Sequence, residues 1–171
     1  MVQNIPVGVP SDGMVKLAFV PTIADLAAPK IATELKATTA LSDIGCWLST
    51  FGVGATEQTR EIRRVCSKQT FEDYGTITRT VEDLMYVYDA QNAESETNEV
   101  YAGMKEGTRG FLVIAWGKDS EEDWAAGDVV DVYPVRLGAQ RKQTPEQNGE
   151  LMVAQKPYVT STITEDVALV A

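Results

Sequence analysis

The chain has 171 residues, 44% of them apolar, with 15 basic and 25 acidic side chains for a net charge of −10. That length and apolar content suit one domain with a buried core and exclude a globally disordered chain. The charge excludes a surface that grips phosphates, because nucleic-acid affinity comes largely from Lys and Arg neutralising the backbone. It leaves room for a protein that lies beside DNA without holding it, although salt limits such repulsion to about 8 Å. There is no histidine, which removes the commonest general base, the commonest metal ligand and the Ser–His and Cys–His nucleophile pairs. Cys46 and Cys66 are too few for a disulfide framework and are expected to be reduced and buried. No basic segment followed by an apolar core opens the sequence, so no secretory signal is expected. The longest apolar run, residues 111–116, is far too short to span a membrane.

In chain order, residues 1–13 carry Pro6, Gly8, Pro10 and Gly13 with little periodicity. They read as a flexible N-terminal arm ahead of a single domain over residues 14–171. Residues 14–20 predict a first strand, stopped by Pro21. Residues 29–36 predict a short helix, with Pro29 at its first position and Ile31 and Leu35 on one face. Residues 43–51 predict a strand, broken by Gly52 and Gly54. Residues 56–65 set Glu57, Arg60, Glu61, Arg63 and Arg64 around Ile62 and Val65, the mixed-sign pattern of a solvated strand or loop.

The longest predicted strand covers residues 76–88. Thr76, Thr78 and Thr80 alternate with Ile77, Arg79 and Val81, and after Glu82 and Asp83 the pattern turns apolar. A strand whose two halves follow different patterns passes from one environment into another. Residues 94–106 predict the best helix, with Glu94, Glu96 and Glu99 at the positive end of its dipole and Val100, Tyr101 and Met104 as its apolar stripe. Gly107 suits the position just past its end.

Residues 110–138 form the centre of the chain. The run from Phe111 to Trp116, bracketed by Gly110 and Gly117, predicts a strand buried on both faces. An acidic loop follows, then a second strand over residues 128–137 that Pro134 should end, bulge or place at an edge. A turn over residues 144–149 precedes strands at 151–154 and 158–169, interrupted at Pro157. The sum is mainly β (α+β): an antiparallel β-sandwich or barrel with one flanking helix.

The sequence offers little chemistry. Asp119, Glu121 and Asp123 alternate like a calcium loop, but Trp124 replaces the turn glycine and Val130 the closing carboxylate. Residues 110–118 end in Gly-Lys without the spacing of a phosphate cradle. Glu82–Asp83 and Asp128/Asp131 could pair as acid and base, yet any chain with 25 carboxylates offers such pairs. No catalytic residue, metal site or cofactor is therefore expected. Trp47 and Trp116 lie in predicted strands, where core packing is the expected role. Trp124, beside the acidic loop, is the candidate for contact with a neighbouring chain.

Residues 104–113 (MKEGTRGFLV) and 126–135 (AGDVVDVYPV) resemble the major tail tube protein of long-tailed siphophages, particularly those infecting actinobacteria. Residues 66–72, 84–88 and 154–160 are similar to further segments of that family, in the same order. The resemblance implies a β-sandwich-like subunit with a flanking helix. Subunits join as hexameric rings whose strands complete a barrel around a lumen, and rings stack through long loops and terminal arms. DNA passes through the lumen on ejection. It also implies tape measure, tail terminator and distal tail partners, assembly in the host cytoplasm and a place in the virion tail. Within that frame Thr78, Thr80, Glu82, Asp128 and Asp131 are the lumen-facing candidates. The competing readings are a monomeric β-sandwich binding or capsid-decoration module and an acid-pair hydrolase.

Overall fold

A computed structural model describes residues 6–171. Eleven strands run through the described residues: β1 (Val15–Val20), β2 (Leu48–Thr50), β3 (Val53–Ile62), β4 (Phe71–Val81), β5 (Leu84–Val87), β6 (Arg109–Trp116), β7 (Val129–Leu137), β8 (Arg141–Lys142), β9 (Met152–Gln155), β10 (Pro157–Val159) and β11 (Thr164–Ala168). One short helix, α1 (Glu99–Gly103), accompanies them. The fold is mainly β and antiparallel, as the residue pattern predicts.

β6 and β7 pair along residues 109–114 and 131–136 and sit at the middle of a sheet ordered β1-β6-β7-β10, with β11 also on β7. One face sets Leu17, Phe19, Leu112, Ile114, Tyr133 and Val135 against Leu84, Tyr86 and Val153 of a second sheet, β2-β5-β9-β8. The opposite face sets Ala18, Val113, Val130 and Val132 against Ile31, Leu35, Trp124 and Leu169. Two covered faces explain why Leu112–Ala115 is apolar without alternation.

Pro134 does not end β7. It lies in mid-strand opposite Phe111, buried, with the strand continuing to Leu137. The neighbour on its other side is what breaks: β11 pairs with residues up to Val132 and β10 starts at Val135. The Pro134 carbonyl accepts the Thr160 amide at 2.9 Å in that gap. The missing N–H thus falls where no ladder partner stands.

Several elements depart from the residue pattern. The expected strand over residues 43–51 is a 3₁₀ turn (Gly45–Trp47) leading into a three-residue β2. The Asp43 carboxylate accepts the Gly45 amide at 3.0 Å and so favours a turn over extended chain. The short helix near Pro29 is a π turn, Ile31–Leu35, locked by buried Glu34, whose two oxygens accept the amides of Ala24 (2.8 Å) and Lys30 (2.7 Å). The predicted helix over residues 94–106 keeps only a 3₁₀ turn (Glu96–Asn98) and α1. Gln140 Nε2 donates to the carbonyls of Tyr101 (2.8 Å) and Met104 (3.2 Å), so side chains satisfy the helix end early. The predicted long strand is two, β4 and β5, divided at Glu82–Asp83 where its pattern changes. The final strand is likewise two, with Pro157 opening β10 rather than interrupting a strand.

A buried polar cluster ties the layers. The Tyr86 hydroxyl donates to Gln155 Oε1 at 2.9 Å and accepts from Gln140 Nε2 at 3.0 Å, and Gln155 Nε2 donates to the carbonyls of Met104 and Gly138 at 2.9 Å. Burial pushes the Tyr86 hydroxyl up to about 12, with Gln140 pulling it back and Tyr101 adding to the rise. Burial, then Asp131 and Glu165, also raise Tyr133, against Arg79. Both phenols stay neutral in the fold above the pH at which an unfolded tyrosine ionises, near 10. The contribution of Tyr86 is therefore complete below that pH and lost as pH climbs toward 12, and Tyr133 acts in the same direction. Denaturant midpoints should fall from pH 10 to 12, and Tyr86→Phe should flatten that fall. At pH 8 the same variant should lose about 1–3 kcal/mol, because Gln155 Oε1 is left without its donor.

Candidate functional site

β3 and β4 form a two-stranded ribbon outside both main sheets. β2 runs into it through Phe51–Gly52 and β5 leaves it through Glu82–Asp83, so it extends the second sheet past a break. Threonine-rich alternation suits a pleated, hydrated surface. Thr56 stands opposite Thr78, and Thr80 opposite Gly54, on one face. Ala55, Arg79, Glu57 and Ile77 occupy the other. The register shifts between Glu57 and Thr59, at Gly75, where a Cβ would collide with the Gln58 carbonyl. Glycine is needed there for the close approach.

The ribbon is exposed along almost its whole length. Phe71, Tyr74 and Ile77 are exposed large apolar residues on it. It is anchored at its base by Val81, which enters the core, and along β4 by Arg79, whose guanidinium meets Glu165 Oε1 at 2.5 Å on β11. β4 also packs beside β10. A hairpin of two strands is marginally stable alone in water, and its outer edges leave rows of amides and carbonyls free for another chain.

The sequence-level candidates fall into two groups. Thr78, Thr80 and Glu82 are exposed along β4 and at its end. Asp128 and Asp131 are half-buried and occupied: Asp128 Oδ2 accepts the Ala125 amide (2.8 Å) and faces Lys118 Nζ (3.0 Å). Asp131 accepts Trp116 Nε1 (2.8 Å) and the amide of Asp166 (2.9 Å), whose φ of 56° marks the irregular stretch of β11. The five are thus not one constellation. Asp83 pairs with Arg141, so Glu82–Asp83 is not a free acid pair.

The tryptophans are placed differently from the residue pattern. Trp116 is 49% exposed, its ring 5.6 Å from that of Phe51, so it shields the ribbon's base instead of filling the core. Trp47 is half-buried and donates to the Glu96 carbonyl at 3.0 Å. Trp124 is 5% exposed, donates to the Ser42 carbonyl at 2.6 Å and lies under Lys16, leaving little of its ring for a neighbouring chain. Cys46 and Cys66 are free but exposed, not buried: Cys46 sits in the 3₁₀ turn and Cys66 in the turn joining β3 to β4.

That turn is where the mixed-sign pattern of residues 56–65 gives way to one sign. Arg63, Arg64 and Lys68 surround a fully exposed Val65, with no carboxylate between residues 63 and 70. Three cations without an intervening anion, in a chain of net charge −10, were the available signal.

A family profile described as phage tail tube protein matches residues 2–171. The chain belongs to the phage tail tube protein family. It is accordingly a structural protein of the virion tail that associates with copies of itself in a tube. No curated protein matches it. Among the described residues no helix is long and apolar enough to cross a membrane. Residues 6–13 of the tail tube protein are exposed and irregular, and residues 1–5 lie outside the described residues. Because both thiols are exposed, Ellman titration of the native protein should count two reactive cysteines before any denaturant is added; zero or one would contradict this placement.

Proposed function

We propose that the protein assembles as hexameric rings that stack into the tube of a siphovirus-type tail, and that the genome passes through the lumen on ejection. The observation that carries this reading is the β3–β4 ribbon, ten and eleven residues long, exposed on both faces and open along its edges. Copies of the same chain complete it, as closure into a barrel removes free edges. The threonine face, with Thr56, Thr78 and Thr80, is a fitting wall. Hydroxyls hold water without offering phosphate a cation, and Glu82 beyond them adds repulsion. Arg79 lies on the other face and is neutralised by Glu165, which supports the assignment. Asp128 and Asp131 act in this proposal by holding the start of β7 beside the wall. A 14–171 unit preceded by its arm, actinophage ancestry, assembly in the host cytoplasm and tape measure, terminator and distal tail partners complete the reading.

Concentrated protein viewed by negative stain should contain rings or tubes, with higher-order species in light scattering. Gly75→Ala should reduce them sharply while the melting of the two main sheets stays within about 0.5 kcal/mol of wild type, since the site is remote from the core. A protein that remains a single copy at every concentration sinks the reading.

A further inference from the structure

The turn over residues 146–149, between β8 and β9, holds the single Asn-Gly pair in the chain, Asn148 and Gly149. All four of its residues are exposed. Asn148 takes φ 62°, the left-handed conformation that asparagine tolerates in tight turns. Gly149 follows without a Cβ, so nothing on that residue shields its backbone nitrogen from the side-chain amide before it. In the closed turn the Gly149 amide donates to the Glu146 carbonyl at 3.1 Å, which occupies the nitrogen. That bond is exposed to solvent and belongs to no sheet, and a loop of this kind opens at little cost. The other asparagines among the described residues are placed differently. Asn98 is 5% exposed and tied at both ends of its amide: Oδ1 accepts the Asp89 amide at 2.8 Å and Nδ2 donates to the carbonyls of Asp89 and Asn92. Asn92 is exposed but precedes Ala93, whose methyl group crowds the following nitrogen.

We propose that Asn148 is a site of spontaneous covalent modification, in which its side-chain amide is exchanged for a carboxylate. When the turn opens, the Gly149 nitrogen gives its proton to solvent base and attacks Asn148 Cγ. The N–Cγ bond forms, the Cγ–Nδ2 bond breaks, and Nδ2 takes up a proton and leaves as ammonia. Water then opens the resulting five-membered imide at either carbonyl. Attack at Cγ breaks the new bond and leaves aspartate. Attack at the main-chain carbon breaks the old peptide bond and leaves isoaspartate, with the chain running through Cγ. Water is the only co-reactant, and nothing is oxidised or reduced. Either product adds one negative charge to a chain already at −10, beside the exposed Glu146 and Glu150. That charge falls at the margin of a groove of about 340 Å³ lined by Ser49, Met85 and Met152 on the second sheet. The reaction needs no second copy, so it is independent of the assembly reading.

The test is to warm the full-length protein at mildly alkaline pH and follow it by ion exchange and peptide mass mapping. A more acidic species should grow with time, carrying the mass of an amide-to-acid exchange at residue 148 and containing both aspartate and isoaspartate. Asp12–Gly13 has the same small neighbour but isomerises without a change of charge, so ion exchange does not count it. Gly149→Ala should slow the conversion by about tenfold or more, because a Cβ crowds the attacking nitrogen and narrows its backbone freedom. The variant should keep the wild-type circular dichroism, since that Cβ would meet only Glu146 atoms at 3.4 Å and the Gly149 φ is not positive. Asn148→Asp should elute with the acidic species from the start. Urea-unfolded protein is the control that shows the chemistry running with the turn open. Folded protein that stays unmodified while the unfolded chain converts overturns the proposal. So does conversion at Asn92 or Asn98 ahead of Asn148, or a rate unchanged in Gly149→Ala.

Discussion

β6 and β7 are hydrogen-bonded to each other and covered on both faces, and that burial organises everything around them. A sheet with two apolar faces needs two layers against it. One is the second sheet, carrying Leu84, Tyr86 and Val153. The other is an irregular layer built from the π turn, Trp124 and the returning Leu169. The charged and polar groups next to this core are all satisfied by short local bonds. Glu34 accepts two amides, Lys16 reaches Asp43 and the Ser120 carbonyl at 2.7 Å each, and Gln155 is fully bonded. Buried groups of this kind are costly when unpaired, so they fix one arrangement of the layers.

The same core fixes the ribbon. Trp116 ends β6 against Phe51, just before β3, while its indole N–H holds Asp131 on β7. Asp131 in turn holds the backbone of Asp166, next to the Glu165 that binds Arg79. The base of the ribbon is therefore set by a chain of contacts running through β6, β7, β11 and β4. Beyond that base the ribbon has little of its own fold to lean on. A rigid sandwich that presents an unsupported two-stranded extension suits a protein whose structure is completed by its neighbours.

Charge is distributed in the same sense. The body of the chain is acidic, and the turn of the ribbon concentrates three unpaired cations. Separation of sign within one polypeptide favours contact between unlike surfaces of identical copies and disfavours contact between like ones. The threonine face between them is neutral.

The sequence by itself determined the β class, the twice-buried strand core at Leu112–Ala115, the change of environment at Glu82–Asp83 and the family resemblance, because each is written in local alternation or in consecutive residues. It did not determine what depends on partners distant along the chain. Pro134 is tolerated in mid-strand because β10 and β11 leave a gap beside it. The helix after Ser95 is short because Gln140, from another element, satisfies its last carbonyls. Trp116 is outside and Trp124 inside because the layer contributed by residues 21–44 covers one and not the other, which no spacing rule encodes. Burial is a property of what packs on a residue, and only the tertiary structure decides that.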